Sequence, residues 1–396
     1  MSLLIKNGKV FVKVGLIETN IYVEKGKISK LTKEEVESDD VVDASGMTIL
    51  PGLIDSHVHF RDPGLTHKED FYTGSRAAAK GGVTTVLDMP NTIPNTTTVK
   101  ALEEKRILAI KSIVNYGFHF GAAKYNLDEI KKAKNIASVK IYMDLTTGDM
   151  KVDDDISMLN ILKTSKITTV HAEGENVLKI IEMNKKTKNK LYLCHITTEK
   201  ELEYIQKNKT EKIFVEVTPH HLFLTIKDYK KLGAFASMKP ILKSQKDQDA
   251  LWGAIDENMV DTIATDHAPH TKEEKENEEP FGVPGVETML PLLLDAVNKG
   301  RISLEKVVEL CSENPAKIFG IKNKGLIKEG YDADLVIVDL KLEKQIKIEE
   351  LATKCGWSSF EGMKLKGWPV MTIVNGNVVF DGNFYDIKAK EVEYNE

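Results

Sequence analysis

A chain of 396 residues, 41% hydrophobic and 29% charged, has room for one large hydrophobic core and a smaller second one. Its net charge of -5 excludes the basic footprint of a nucleic-acid binder, and no apolar run of about 18 residues offers a membrane span. The three cysteines, Cys194, Cys311 and Cys355, are too far apart for a zinc knuckle or a disulfide framework, which points to a reducing cytoplasm.

The N-terminus reads as a strand and not as a signal peptide. Leu4-Ile5-Lys6 is followed by Asn7-Gly8 and then by Lys9-Val10-Phe11. Near the other end, Thr372-Ile373-Val374, Asn375-Gly376 and Asn377-Val378-Val379-Phe380 repeat the pattern. Each end is therefore expected to form a strand, an Asn-Gly turn and a second strand. Residues 17–50 and 325–340 are strand-like too. Together these segments predict a small β-sandwich domain built from both termini, residues 1–50 plus 325–396.

Between the ends, short apolar runs occur at 53–60, 83–90, 113–122, 138–144, 167–173, 190–197, 213–219 and 261–267. Helical patterns follow most of them, such as Asp128-Glu129-Ile130-Lys131-Lys132-Ala133. Strand and helix alternating eight times predicts a (β/α)8 TIM-like barrel over residues 51–324. Such barrels keep their active sites at the C-terminal ends of the strands.

The chemistry-bearing residues fall at those ends. The first run closes with His57 and His59, two residues apart and so on one face of a strand. Two imidazoles side by side make half a metal site. Arg61 follows on the same face, and its planar fork suits a carboxylate. Arginine stands at only four positions, Arg61, Arg76, Arg106 and Arg301, so Arg61 marks a place where lysine will not serve. Asn91 ends the second run, Lys140 lies in the fourth, His171 and His195 end the fifth and sixth, and Asp266 and His270 follow the eighth. Taken singly, Asp266 could cap a helix and Lys140 could reach along apolar surface to solvent. Five strands placing four histidines, Lys140 and Asp266 on one rim make a common site the better reading.

Neutral imidazole and carboxylate donors suit Zn²⁺. Four histidines exceed what one open catalytic zinc takes, so two Zn²⁺ per chain are expected, sharing a bridging anion. Lys140 as a neutral amine can take up carbon dioxide to give that anion, a carbamate; Asp144, four residues on, is the alternative. Cys194 adjoins His195 but is expected to face the other side of its strand and to be inert. His220 and His221 are expected beside the rim and not as ligands, and His67 and His119 as structural residues. Residues 271–285 start charged and end in glycines, which suits either backbone contacts to a ligand or a solvated loop.

Pro51-Gly52-Leu53-Ile54-Asp55-Ser56-His57-Val58-His59 is shared across the cyclic amidohydrolases. Phe60-Arg61-Asp62-Pro63-Gly64, Asp88-Met89-Pro90-Asn91-Thr92 and Ala264-Thr265-Asp266-His267-Ala268-Pro269-His270 are more specific. On these motifs the chain resembles, over nearly its whole length, the dihydroorotase family of the amidohydrolase superfamily. The resemblance implies reversible cyclisation of N-carbamoyl-L-aspartate to L-dihydroorotate in pyrimidine synthesis. It implies that His57 and His59 hold one metal, that His171 and His195 hold the other, and that carboxylated Lys140 bridges them. Asp266 would bind the first metal and act as the catalytic acid and base, and Arg61, Asn91 and His270 would take the substrate carboxylate.

The chain departs from the family pattern twice. Many bacterial members bridge the metals through an aspartate, and many carry an Asn-Pro-Pro motif after the seventh strand. Here the latter segment reads Met238-Lys239-Pro240-Ile241-Leu242, which leaves the role of Lys239 open. Allantoinase or dihydropyrimidinase is the nearest alternative, but those substrates lack the carboxylate that Arg61 would hold. A catalytically dead scaffold would have lost metal ligands. The partner implied is a small-molecule substrate; self-association, or association with aspartate carbamoyltransferase, is compatible with the resemblance.

Overall fold

The computed structural model of the protein describes residues 2–145, 150–187 and 189–395. The N-terminal segment supplies β1 (Ser2–Lys6), β2 (Lys9–Val12), β3 (Gly15–Glu18), β4 (Asn20–Glu24), β5 (Lys27–Thr32), β6 (Asp40–Asp43) and β7 (Thr48–Pro51). Parallel strands follow in chain order: β8 (Leu53–Val58), β9 (Val83–Asp88), β10 (Asn115–Gly121), β11 (Ser138–Tyr142), β12 (Ile167–His171), β13 (Lys190–Leu193), β14 (Ile213–Val217) and β15 (Thr262–Ile263). The C-terminal part adds β16 (Leu335–Gln345), β17 (Lys364–Val374) and β18 (Asn377–Phe380).

Strands β8 to β15 pair with their sequence neighbours, as the eight apolar runs predict. The ring is closed by a parallel bridge between Val58 and His267 and by the His59 amide donating to the His267 carbonyl at 2.8 Å. Every residue of β8, β9, β10, β11 and β12 is buried, as strands covered on both faces must be. Helices take up the connections with matched caps. Asp70 accepts from the Tyr72 and Thr73 amides at the start of Phe71–Lys80, and Ser244 from Asp247 at the start of Gln245–Asp256, which satisfies otherwise orphan donors. This is the (β/α)8 barrel. No helix among the described residues is long and apolar enough to cross a membrane.

The terminal strands form two sheets, β5-β4-β1-β6 and β18-β17-β16-β7-β2-β3. Ile5, Ile21, Val23 and Ile28 from one sheet share a core with Val10, Ile49, Leu335 and Ile373 from the other, making the β-sandwich. The residues after β18 return to the barrel, where the Val392 amide donates to the Tyr116 carbonyl at 2.8 Å.

The two Asn-Gly turns are not equivalent. Asn375 (φ 48°) and Gly376 (φ 76°) are both left-handed, and they join β17 to β18 as an antiparallel hairpin. At the N-terminus only Asn7 is left-handed (φ 65°). There β1 pairs with β4 and β6, and β2 with β3 and β7. The expected hairpin is instead a corner between the two sheets. A Cβ on Gly8 would come within 2.8 Å of Ile49 Cδ1, so the corner needs a residue without one.

Candidate metal centre and active site

His57 and His59 emerge from the end of β8 and are 2% and 7% exposed. Their Nε2 atoms lie 3.2 and 2.9 Å from one oxygen of Asp266. Asp266 has a left-handed backbone (φ 47°), which turns its carboxylate inward just after β15. The Nδ1 atoms face outward to acceptors. His57 Nδ1 lies 2.8 Å from Glu216 Oε1, and His59 Nδ1 lies 2.6 Å from Asn91 Oδ1. Donation from each Nδ1–H leaves each Nε2 turned to the cluster, the tautomer that a metal ligand needs. Asp55 ties the group together by accepting from the His57 amide at 3.2 Å and the Thr265 amide at 3.0 Å.

The local field favours a cation here. Burial works against charge on His57, yet the Glu216 and Asp266 carboxylates outweigh it and raise the imidazole well above its ordinary range. At His59 burial wins and lowers it to about 4. Such a site holds a positive charge at His57 Nε2, whether a proton or a metal ion.

His171 and His195 form the second group. His171 Nδ1 and His195 Nε2 lie 2.8 Å apart. Burial lowers both imidazoles, His195 well below its ordinary range, so both are neutral donors of a lone pair. His195 Nδ1 is buried and has no hydrogen-bond partner among the described residues. Converging neutral nitrogens and an orphaned one fit a divalent ion. Lys140 is fully buried and lines the same pocket as His57, His59, His171, His195 and Asp266. Asp144 does not line it. Its two oxygens accept from the Glu173 amide at 2.9 Å and the Asn176 side chain at 2.8 Å, holding the turn after β12.

Cys194 departs from expectation. Its Sγ lies 2.9 Å from Lys140 Nζ, and its sulfur groups with one ring nitrogen each of His57 and His195, all within 4.8 Å of one another. Strict alternation would have put Cys194 and His195 on opposite faces. The strand ends at Leu193, however, and His195 is left-handed (φ 35°), so both side chains turn into the barrel.

Arg61 lines the same pocket and is 2% exposed, but not by the strand alternation expected of it: β8 ends at Val58 and Arg61 is left-handed at φ 63°. Its Nε donates to the Pro269 carbonyl at 3.0 Å, and one terminal nitrogen lies 3.1 Å from His270 Nε2. Arg61 and Asn91 line the pocket. His270 stands behind Arg61 instead of in the wall. Lys68 Nζ donates to its Nδ1 at 3.0 Å, and its Nε2 lies 3.0 Å from the Phe281 carbonyl. Burial and the adjacent Arg61 and Lys68 cations lower His270 to about 2, so it is neutral. Trp357, on the connection between β16 and β17, donates to the His270 carbonyl at 2.7 Å, so the terminal domain braces this corner.

Residues 271–285 are solvated along much of 272–281 and buried from Gly282 onward. They carry a short helix, Lys272–Asn277, and buried Lys275 donates to the carbonyls of Ser237, Pro280 and Gly282. Phe281 and Gly282 reach the pocket wall, as does Lys239, whose Nζ donates to the Leu145 carbonyl at 3.1 Å. His221 is held by Thr218 and the Pro240 carbonyl, and His119 by Ser138 and the Ser56 carbonyl. His67 is exposed and pairs with Glu274.

Glu216 is the residue that reading the sequence for histidines passes over. It is fully buried, holds His57, and accepts from the His195 amide at 3.0 Å and the Tyr192 hydroxyl at 2.8 Å. Its signal was present: a carboxylate inside the apolar run Ile213-Phe214-Val215-Glu216-Val217.

Residues 48–379 match the Amidohydrolase family. The chain is 42% identical to the dihydroorotase of Pyrococcus abyssi, over 94% of each chain. It is 39% identical to the dihydroorotase of Methanosphaera stadtmanae, over 94% of this chain and 96% of that one. Among solved structures it superposes on the L-hydantoinase (dihydropyrimidinase) of Arthrobacter aurescens with a TM-score of 0.94 at 28% identity, covering 99% of both chains. The D-hydantoinase (dihydropyrimidinase) of a Thermus species gives 0.92 at 26%, again over 99% of both.

Proposed function

The chain belongs to the amidohydrolase family and, within it, to the dihydroorotases, and from that membership we propose how its own residues carry the reaction. The protein is a hydrolase of cyclic amides that interconverts L-dihydroorotate and N-carbamoyl-L-aspartate. The single observation supporting this substrate over its relatives' is buried Arg61, which lines the same pocket as the histidine cluster. The solved structures it resembles are hydantoinases; the neutral rings such enzymes open give a buried guanidinium no carboxylate to meet.

A metal cofactor goes with the family, and the donor set fits two Zn²⁺. His57, His59 and Asp266 would hold one, and His171 and His195 the other. Lys140, carboxylated by carbon dioxide at its amine, would be shared between them. When bound, the ions make water acidic enough to attack near neutral pH and polarise the scissile carbonyl. Asp266 accepts a proton from the attacking water. As the ring C–N bond breaks, Asp266 returns that proton to the departing nitrogen, base first and acid second. Arg61 and Asn91 fix the substrate carboxylate so that the carbonyl faces the histidines. His270, packed on Arg61, holds the guanidinium in place. Glu216 and Asn91 keep His57 and His59 in the ligating tautomer.

Residues 51–324 serve in this reading as the catalytic barrel, with residues 1–50 and 325–396 bracing it. An association with itself or with aspartate carbamoyltransferase is a matter for sedimentation of the purified proteins. The test of function is hydrolysis by the zinc-loaded enzyme. Dihydroorotate should be opened at a kcat/KM far above that for dihydrouracil, hydantoin or allantoin. Faster opening of any of these neutral rings refutes the substrate assignment.

A further inference from the structure

Among the described residues, the pocket wall contains one hydroxyl, which the steps above do not use. Tyr142 is the last residue of β11 and is 4% exposed. It lines the pocket together with Arg61, Lys140, His171 and Asp266. Its Oη is buried and has no hydrogen-bond partner among the described residues. Tyr192, also inside the barrel, shows how such a group is normally satisfied: its hydroxyl meets Ser56, Glu216 and Thr262 within 2.8 Å. Thr85, Thr168 and Tyr394 also bury a hydroxyl without a partner, but of these four only Tyr142 lines the pocket; a buried hydroxyl left without a partner is destabilising, so one beside a reaction pocket calls for a ligand oxygen.

Its position says which oxygen. Residues i and i+2 of a strand share a face, so Tyr142 stands on the side of Lys140, one step nearer the rim. Lys140 Nζ is 5.1 Å from its ring centre, and the His171 ring is 6.2 Å away at 33°. Those contacts place the ring beside the metal-binding residues, with the Arg61 guanidinium, from the loop after β8, also within its electrostatic reach. The backbone of Tyr142 is pinned: it pairs with His171 on β12, and its carbonyl accepts from the Val152 amide at 2.9 Å. The hydroxyl is thus carried on a rigid element, as a donor aimed at developing charge must be.

We propose that Tyr142 is a further catalytic residue, whose hydroxyl donates a hydrogen bond to the oxygen of the scissile carbonyl as that oxygen gains negative charge. No proton changes owner; the O–H···O bond strengthens as C=O becomes C–O⁻ and relaxes when the ring C–N bond breaks. The inference rests on the dihydroorotase reading.

The test is Tyr142→Phe in the zinc-loaded enzyme, a change that deletes one oxygen and keeps the ring. The expected result is a loss of about 100-fold in kcat with KM little changed, and with zinc content and Tm at wild-type values. Unchanged kcat overturns the proposal. So does a rise in KM alone, which would make the hydroxyl a ground-state contact, and so does a loss of zinc, which would make it a support of the metal site. Should the phenylalanine variant not fold, 3-fluorotyrosine at 142 keeps the ring and sharpens the donor; a changed kcat supports the proposal and an unchanged one overturns it. If the wild type opens dihydrouracil or hydantoin but not dihydroorotate, the substrate reading fails by itself, and the variant is judged on kcat with the ring that is opened.

Discussion

Glu216 Oε1 lies 2.8 Å from His57 Nδ1, and the same oxygen accepts the His195 amide at 3.0 Å. One buried carboxylate on β14 therefore orients residues from both histidine groups. Glu216→Gln keeps the shape but replaces one acceptor oxygen with a donor. Supporting groups of this kind are typically worth about 10- to 100-fold in metal affinity. Zinc titration of the metal-stripped variant should show that weakening, with far-ultraviolet circular dichroism unchanged. Wild-type zinc affinity in Glu216→Gln would remove Glu216 from the metal site.

Two Zn²⁺ per chain are expected, because four neutral or cation-seeking imidazoles, Asp266 and Lys140 exceed the needs of one ion. Elemental analysis after growth with ample zinc reads the count. Chelation should abolish activity and lower Tm, since an ion that binds only the folded chain stabilises it by mass action. A stoichiometry of one or less rules out the binuclear site.

Lys140→Ala should lose most activity and part of the bound metal, and short carboxylic acids added to the assay should restore some of it. Asp144→Ala should keep both metals, because the Asp144 oxygens are occupied by Glu173 and Asn176. The reverse pattern, an active Lys140→Ala and a metal-poor Asp144→Ala, would assign the bridge to Asp144.

Arg61→Lys preserves the charge but not the fork. A guanidinium can meet both carboxylate oxygens, an ammonium only one point. Charge-assisted hydrogen bonds contribute roughly 1.5–3 kcal/mol each, so losing one should lower kcat/KM for dihydroorotate by about 10- to 100-fold. Zinc content should not move. If Arg61→Lys opened dihydroorotate at the wild-type rate, the carboxylate would be held elsewhere.

Much of this was legible in the residues themselves, because it depends on local period and chemistry. Eight apolar runs of strand length gave eight parallel strands, since a strand buried on both faces must be apolar along its length. The period-two spacing of His57 and His59 pointed to one shared site, and both reach the same Asp266 oxygen, although β8 itself ends at Val58. What tertiary structure decided lies where that period stops or where distant segments meet. The left-handed turn at His195 brought Cys194 to the side of Lys140 against alternation. Asn7-Gly8 made a corner where Asn375-Gly376 made a hairpin, because the strands flanking the first turn find partners in different sheets. His270 came to rest behind Arg61 because Lys68, Phe281 and Trp357, from three other segments, converge on it. Glu216 became the anchor of His57 only because closing the barrel sets β14 next but one to β8. Side-chain chemistry is written residue by residue, but which groups stand within 3 Å of one another depends on chain ends, turns and ring closure that no single segment encodes.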